Sequence, residues 1–373
     1  MIYLDHSAST PVDPFVLEGY VQAMRDHFAN PHAPHALGEG AKYLYEAASR
    51  RIATYLGTDE GHVIFTSGGT ESNNLALLGL AEARARYGKR IVLSAIEHPS
   101  VLEVGRRLKT RGFDVVLAPV DRSGRVDLQA LEKLSTPETI LVSVMAVNNE
   151  LGSQQPIVDI VRLVRQKTSA LIHVDAVQAY AISPMHMGQW DIDALTLSGH
   201  KIHAPKGIGI LALRPGITLV PQIVGGGQQF GLRSGTVNVP LVAAMSRAMR
   251  LADEARETFV TKARRWWLRL YEGVMALGGE VLSPRDGAPH ILCVTFPQKR
   301  GEVLVRALSA RGVYVSTRSA CSAKNREPSH VLRALGLSTE YTAGTLRLSM
   351  ARTTTDADIE GALHVLADVL QKT

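Results

Sequence analysis

The segment Ser67-Gly68-Gly69-Thr70-Glu71-Ser72 has the composition of an anion-binding turn. It follows an apolar run at residues 62–66 that is typical of a strand, and it leads into a helical pattern. A helix N-terminus offers free N–H groups and the positive end of the helix dipole, so this turn is suited to a phosphate. Many helices with such a start bind nothing, and the turn alone does not decide between the two interpretations.

A lysine and a carboxylate stand at the ends of two later strands. Lys201 follows the strand predicted at 194–197, where a buried ammonium is costly and a Schiff base with an aldehyde is not. Asp175 ends the strand predicted at 171–175, and Gln178 comes three residues later. Taken singly, Lys201 could be a surface lysine and Asp175 a helix cap. The order of phosphate turn, Asp and Lys suits pyridoxal 5'-phosphate (PLP), whose ring becomes an electron sink when a carboxylate faces its pyridine nitrogen.

The two cysteines of the chain have different surroundings. Cys293 lies in an apolar, strand-like run, and we expect an inert core thiol. Cys321 lies among Ser, Thr, Arg, Lys and Asn, where a thiol stays accessible. The two do not form a CxxC pair and have no His pair at metal-ligand spacing, so we expect neither a disulfide framework nor a metal site.

Strands and helices alternate between residues 62 and 213, which predicts an α/β fold with a mainly parallel sheet covered by helices. Functional groups should gather at the carboxyl ends of its strands. An amphipathic stretch at 241–277 predicts a long helix, and the remaining patterns predict a small α/β domain. We therefore predict a large domain of residues 16–239 and a small domain of residues 1–15 and 240–373. The strands of the large sheet are predicted at 62–66, 90–94, 115–119, 140–147, 171–175, 194–197 and 208–213.

The composition excludes several classes of protein. The 373 residues carry 41 basic and 35 acidic side chains, and the net charge of +6 is scattered without a long Lys/Arg run. This distribution does not favour direct nucleic-acid binding. The first residues lack a charged-then-apolar targeting pattern, and no apolar run reaches the length of a membrane span. We expect a cytoplasmic protein with no membrane partner.

Ordered motifs along nearly the whole chain resemble one known family, the class V, fold-type I PLP enzymes, and within it the cysteine desulfurases. The fold that this implies is a large domain with a seven-stranded sheet and a small C-terminal α/β domain. The segments that carry the resemblance are residues 3–12, 30–35, 69–74, 97–98, 148–152, 175–178, 198–201, 205–207, 233–236, 319–321 and 327–332.

The resemblance implies a role for each matching residue around the cofactor. Lys201 binds PLP covalently and moves the Cα proton of the substrate. Asp175 pairs with the pyridine nitrogen, and Gln178 bonds the ring hydroxyl. His98 stacks on the ring and assists proton transfer, the alternative being a packed or capping histidine. The phosphate is held by Gly69, Thr70, Ser198, His200 and, from the other subunit of a homodimer, Thr236.

It also implies the path of the sulfur. Asn149 and Arg347 orient L-cysteine, Arg347 by a two-pronged bond to its carboxylate. The thiolate of Cys321 takes the sulfur as a persulfide, L-alanine is released, and the persulfide is passed to a protein acceptor. The sequence leaves open whether that acceptor serves iron–sulfur cluster assembly, tRNA thiolation or DNA sulfur modification.

Three residues depart from the family pattern and put the acceptor and its docking surface in doubt. His6 stands where Asn or Tyr is frequent, Phe230 lies in a stretch that often carries Arg, and Arg318 replaces a usual Gly. Arg318 lies three residues before Cys321, where it either favours the thiolate or binds a carboxylate of the chain or of the acceptor.

Two other classes of function compete with this interpretation. A selenocysteine lyase or another class V member, such as an aminotransferase or a kynurenine-type hydrolase, keeps PLP, but a transaminase has no use for Cys321. A sulfur-relay or scaffold protein without turnover has no use for Lys201, Asp175 and His98.

Overall fold

The computed structural model describes residues 1–317 and 329–372. The chain begins with a short strand, β1 (Ile2–Tyr3), and two helices, α1 (Pro14–Asp26) and α2 (Ala36–Leu56). Asp13 caps α1, because its carboxylate accepts hydrogen bonds from the N–H groups of Phe15 and Val16. Neither helix was predicted from the sequence.

A seven-stranded sheet follows and confirms the predicted α/β fold. Its order is β2-β8-β7-β6-β5-β3-β4, and all neighbours are parallel except β8, which is antiparallel to both β2 and β7. Strands β5 to β8 are buried along their whole length, as expected for a sheet with helices on both faces. The strands are β2 (Val63–Thr66), β3 (Arg90–Ser94), β4 (Asp114–Ala118), β5 (Thr139–Met145), β6 (Leu171–Asp175), β7 (Ala194–Ser198) and β8 (Gly209–Leu213).

Five helices connect these strands. Three of them were predicted within a few residues of their bounds, whereas α6 and the short α7 were not. They are α3 (Gly69–Arg84), α4 (Pro99–Thr110), α5 (Leu128–Leu134), α6 (Ile157–Lys167) and α7 (Met187–Trp190).

The 38-residue helix α8 (Val239–Ala276) belongs to two hydrophobic cores. Its first half, with Met245 and Met249, packs into the core that lies against the seven-stranded sheet. Its second half, with Trp267 and Leu270, packs into a second core. The predicted boundary at 239/240 assigns all of α8 after Val239 to the small domain, whereas its first half packs against the large sheet; the division itself remains a prediction.

The second core is built on a small antiparallel sheet of order β12-β10-β9, while β1 pairs in parallel with β11. The N-terminal residues thus pack with the C-terminal third of the chain. None of the described helices combines the length and the apolarity that a bilayer crossing requires. The elements are β9 (Glu280–Val281), β10 (Ile291–Thr295), α9 (Gly301–Ser309), β11 (Val313–Tyr314), α10 (His330–Ala334), α11 (Thr339–Thr342), β12 (Thr345–Ser349) and α12 (Asp356–Lys372).

Candidate active site

A cavity of about 160 Å³ lies at the carboxyl ends of β6 and β7. Most of the predicted site residues line it, although they come from distant parts of the chain. Thr236 is exposed and does not line this cavity, and Cys321 lies outside the described residues. The predicted residues that line the cavity are Gly69, Thr70, His98, Asn149, Asp175, Gln178, Ser198, His200, Lys201 and Arg347.

Lys201 lies in a single 3₁₀ turn, Gly199–Lys201, directly after β7. Its Nζ donates hydrogen bonds to the backbone carbonyl oxygens of Ser7 and Ala8, the latter at 2.9 Å. These carbonyls offset part of the cost of removing the ammonium from water. The N-terminal segment thus forms one wall of the site, a contribution that a search for reactive side chains misses.

Asp175, at the end of β6, is almost fully buried and accepts two hydrogen bonds. Asn73 Nδ2 donates to its Oδ2 at 2.8 Å, and the N–H of Val177 donates to its Oδ1 at 3.0 Å. Both donors stabilise the ionised carboxylate and fix its plane. Sequence reasoning gave Asn73 no role, although its place one turn into the helix that follows the glycine turn was a usable signal.

His98 is the N-cap of α4 and also lines the cavity. The alternative of a capping histidine is therefore correct, and it does not exclude a role in the site. Its Nδ1 accepts the N–H of Ser100 at 3.1 Å, which places the proton of the neutral ring on Nε2. Burial lowers the pKa of His98, and the positive charge of Lys201 lowers it further, against the opposing effect of Asp175. The imidazole is therefore neutral near pH 7.

Glu97, beside His98, is a buried acid that sequence reasoning did not assign to the site. Its side chain is fully buried, and its Oε1 accepts the N–H of Met145 at 2.6 Å. Burial and then the charge of Asp175 raise the pKa of Glu97 well above its usual value. Both effects disfavour the ionised form of Glu97.

The other end of the cavity has the features of a phosphate site. Gly69 and Thr70 form the first turn of the 16-residue helix α3, and Gly68 adopts a φ of 155°, a conformation that glycine tolerates best. A Cβ atom on Gly69 would lie 3.1 Å from Cγ2 of Val177, so a side chain here would crowd the cavity wall. Burial, with the charges of Lys201 and Lys206, lowers the pKa of His200 to about 4.

An ion pair joins this turn to the segment that carries Thr236. Arg233 Nε donates to Oε1 of Glu71 at 2.8 Å, and Glu71 also accepts the N–H of Ser67 at 2.8 Å. The pair is half-buried. It fixes the segment with the exposed Thr236 to the start of α3, at the edge of the cavity.

Arg347 reaches the cavity from β12 and is 1% exposed. Its Nη2 donates to Oδ1 of Asp5 at 2.7 Å, and its Nη1 donates to the carbonyl oxygen of Asn149 at 2.9 Å. Its Nε has no hydrogen-bonding partner among the residues that the structure describes. A guanidinium that is held at two nitrogens and has a third donor to offer is suited to a carboxylate. Asp5 is a further residue that sequence reasoning did not assign.

The chain beyond residue 328 returns to the same wall. Ser329 Oγ donates to Oε2 of Glu150 at 2.5 Å, and Nε2 of His330 bonds the backbone oxygen of Glu97 at 2.9 Å. On the other side, the backbone of Ser316 pairs with that of Arg347. Ser316 and Ser329, which flank the segment 318–328 with Arg318 and Cys321, therefore contact residues of this wall, while that segment lies outside the described residues.

The structure also describes Cys293 and two of the residues that depart from the family pattern, His6 and Phe230. Cys293 is buried in β10, as predicted, and burial raises the pKa of its thiol. Phe230 is exposed and has a φ of 61°. His6 is buried beside the cavity.

Comparison with known proteins identifies close relatives over the whole chain. The family model described as aminotransferase class-V matches residues 2–361. The cysteine desulfurase IscS 1 of Archaeoglobus fulgidus is 39% identical over 100% of this chain and 97% of its own length. Among solved structures, a NifS-like protein superposes with a TM-score of 0.95 at 37% identity, covering 100% of both chains. A structure described as SspA in complex with cysteine has a TM-score of 0.83 at 35% identity, covering 95% of this chain and 100% of its own.

Proposed function

We propose a residue-level function for this chain, which belongs to the aminotransferase class-V family and, within it, to the cysteine desulfurases. The enzyme removes sulfur from L-cysteine with the help of PLP, and Cys321 receives that sulfur. The observation that carries the proposal is the convergence of Lys201, Asp175, His98 and Arg347 on one cavity.

The residues of the cavity fit PLP. A buried carboxylate, Asp175, suits the protonated pyridine nitrogen, and the start of α3 at Gly69 and Thr70 suits the phosphate. The amino group of Lys201 suits the aldehyde. Gln178 is available to the ring hydroxyl and at present donates to the carbonyl oxygen of Ser7 at 3.0 Å. When bound, PLP draws electrons away from the Cα of an attached amino acid.

The protein's own residues bind the substrate and move its protons. Arg347 binds the carboxylate of L-cysteine through its available Nε and the adjacent Nη. Lys201 takes the Cα proton and later returns one. His98, neutral and protonated on Nε2, would stack on the cofactor ring and assist proton transfer. Burial and the charge of Asp175 raise the pKa of Glu97, and Asp175 is the carboxylate that would face the pyridine nitrogen.

Cys321 takes the sulfur through its thiolate, which attacks Sγ of the substrate. The bond from Sγ to Cβ breaks, a persulfide forms on Cys321, and Cβ gains a proton to give L-alanine. Cys321 follows Ser316 by five residues, a span of at most ~18 Å, and Ser316 pairs with Arg347. Cys293 cannot substitute for it, because Cys293 is buried in β10 with a raised thiol pKa. We propose a protein as the sulfur acceptor and the cytoplasm, where thiols stay reduced, as the location.

A homodimer completes the proposal. Tyr43 on α2, together with Val224 and Phe230, is exposed, and Phe230 and Val237 line a groove with α2. Large exposed apolar side chains near Thr236 are typical of a protein interface, and we propose that a second copy of the chain covers them. In that dimer Thr236 contributes to the phosphate site of the partner subunit.

Incubation of the purified enzyme with PLP and L-cysteine tests the function. We expect one L-alanine per sulfur transferred and, after digestion and mass spectrometry, a persulfide on the peptide that contains Cys321. Lys201→Ala should abolish alanine formation and the visible absorbance of the bound cofactor, whereas the exposed control Lys133→Ala should keep both. Full activity of Lys201→Ala would refute the assignment.

A further inference from the structure

A second cavity, of about 30 Å³, lies behind Lys201; we call it the back cavity. Its polar lining residues include His6, Gln178, Lys201, His203, His290 and Arg352. Gln178, Lys201 and Val177 also line the active-site cavity, so they form the wall between the two. The catalytic lysine thus faces both an active-site cavity in front and a small polar cavity behind.

Three buried polar atoms of the back-cavity residues lack partners in the described part of the chain. They are Nδ1 of His6, Nδ1 of His290 and Nε of Arg352. His6 and His290 are each only 6% exposed. A buried polar atom without a hydrogen bond costs about 1–3 kcal/mol, so such atoms normally bind an ordered water molecule or a ligand.

The charges favour water over an ion. Burial and then the neighbouring His203 lower the pKa of His6 to about 4. Burial and then the charge of Arg352 lower the pKa of His203 to about 4. Burial alone lowers the pKa of His290 to about 4, and all three rings are neutral near pH 7. The guanidinium of Arg352 is already paired with Asp13. A neutral imidazole both donates and accepts hydrogen bonds, as water does. A buried water needs roughly 10–15 Å³, so the back cavity has room for about two.

The back cavity is also close to solvent on its far side. His6 and Thr10 line both the back cavity and a more open surface groove of about 470 Å³, which Tyr3, Lys206 and Asp358 also line. His6 therefore lies between the groove and the back cavity, just as Lys201 lies between the back cavity and the active site.

We propose that the back cavity holds exchangeable water bound by His6, His290 and Arg352, and that Lys201 exchanges protons with solvent along this water and His6. A proton passes from the ammonium of Lys201 to water, water passes one to the imidazole of His6, and His6 releases one to the groove. The reverse sequence recharges the lysine. The role of Lys201 in this step rests on the proposed function, whereas the bound water does not.

The route matters because the front of Lys201 is the face that cofactor and substrate cover during turnover. Lys201 takes one proton from Cα and returns one, and between these steps it exchanges with solvent only if water reaches it. The back cavity supplies that access without opening the active site to water.

The first experiment uses the apoenzyme and does not depend on turnover. A crystal structure of the protein without PLP should show ordered water within hydrogen-bonding distance of Nδ1 of His6 and Nδ1 of His290. A chloride or another ion in this density would overturn the assignment to water. An absence of density there in well-ordered crystals would overturn the site.

The second experiment follows the proton in the complete enzyme. L-Cysteine with protium at Cα is turned over in D₂O, and NMR measures the fraction of L-alanine that retains protium at Cα. His6→Phe should slow the exchange of Lys201 about tenfold and raise this fraction. His6→Asn, which keeps a polar side chain, should restore exchange. Replacement of the exposed His364 by Phe, the matched control, should change nothing.

A second variant, which fills the back cavity, shows whether an effect of His6→Phe comes from a folding defect. Ala255 lines the back cavity without contributing a polar side chain, and Ala255→Met should also raise protium retention. If both variants fold, turn over cysteine and retain no more protium than wild type, the proton route is wrong. If no variant or wild-type enzyme forms alanine while the apoenzyme shows the water, the proposed function fails and the water site stands.

Discussion

Asp5 offers a sharp test of how the substrate carboxylate is recognised. Its carboxylate pairs with Arg347 at 2.7 Å, and Asp5 is 20% exposed while Arg347 is 1% exposed. The substrate carboxylate and Asp5 would therefore share one guanidinium. Asp5→Asn keeps the size of the side chain and a carbonyl acceptor for Nη2, but it removes the negative charge.

The structure sets the expected loss of stability. Two unit charges at about 4 Å interact by ~4 kcal/mol at an effective dielectric constant of ~20. Breaking a buried pair costs ~3–5 kcal/mol, and breaking an exposed pair costs at most ~1 kcal/mol. Because Asp5 is partly exposed and Asn still accepts a hydrogen bond, we expect the free energy of unfolding to fall by ~2 kcal/mol.

Substrate binding should change in the opposite direction. Removing the competing carboxylate leaves more of the charge of Arg347 to the substrate, and after screening this gain is ~1 kcal/mol. We expect the KM for L-cysteine to fall about fivefold in Asp5→Asn. Asp5→Ala also loses the hydrogen bond that orients Arg347, so its KM should rise instead. Steady-state alanine formation and urea unfolding measure the two quantities.

The pair Arg90 and Asp114 provides a matched control. Its ion pair has the same length, 2.7 Å, but Asp114 is 50% exposed and lies at the amino end of the edge strand β4, whereas the cavity lies at the carboxyl ends of β6 and β7. Asp114→Asn should cost at most ~1 kcal/mol of stability and leave the KM unchanged. If Asp5→Asn raises the KM as much as Asp5→Ala does, Asp5 orients Arg347 through its charge and does not compete with the substrate.

Three further predictions concern pH, the thiols and the dimer. Because the folded-state pKa of His6 is about 4, below the unfolded value near ~6.5, the unfolded state binds more protons and stability falls as the pH drops between these values. Urea unfolding at a series of pH values gives the slope of the free energy of unfolding against pH. In His6→Asn this slope should be smaller by ~1.4 kcal/mol per pH unit, which corresponds to one proton. Cys321→Ser should bind PLP and L-cysteine but yield no persulfide, while Cys293→Ser should be nearly silent; mass spectrometry that finds the persulfide on Cys293 would reverse the assignment. A Thr236 variant mixed with a Lys201 variant should regain part of the activity through subunit exchange, and a fully active monomer would contradict the dimer.

The sequence predicted the large sheet well because its strands are short apolar runs bounded by turn residues. The bounds of β3 and β6 agree with the structure to the residue. Helices α1 and α2 escaped prediction because their apolar side chains are not confined to one face: Phe15 is exposed beside the buried Val16, and Tyr43 on α2 is exposed. Such exposed apolar residues blur the helical periodicity on which the prediction depends.

The candidate site was predictable where reactive side chains follow strand ends, as Asp175 and Lys201 do. It was not predictable where the backbone does the binding, since the carbonyls of Ser7 and Ala8 have no side-chain signature. Glu97 was missed for another reason. Its raised pKa depends on full burial next to Asp175, which is a property of the folded neighbourhood and not of the local sequence.

The pairing of the first residues with the last third of the chain has a consequence during synthesis. Ile2 leaves the ribosome long before its partner Val313, and Asp5 long before Arg347, because more than three hundred residues separate the two members of each pair. At ~5–20 residues per second, β1 waits for at least ~15 s before its strand partner exists. The nascent chain can form the large sheet in that time, but the wall of the active site that carries Ser7 and Ala8 is secured only after β11 and β12 have been made. Nascent chains stalled before β11 should therefore be inactive.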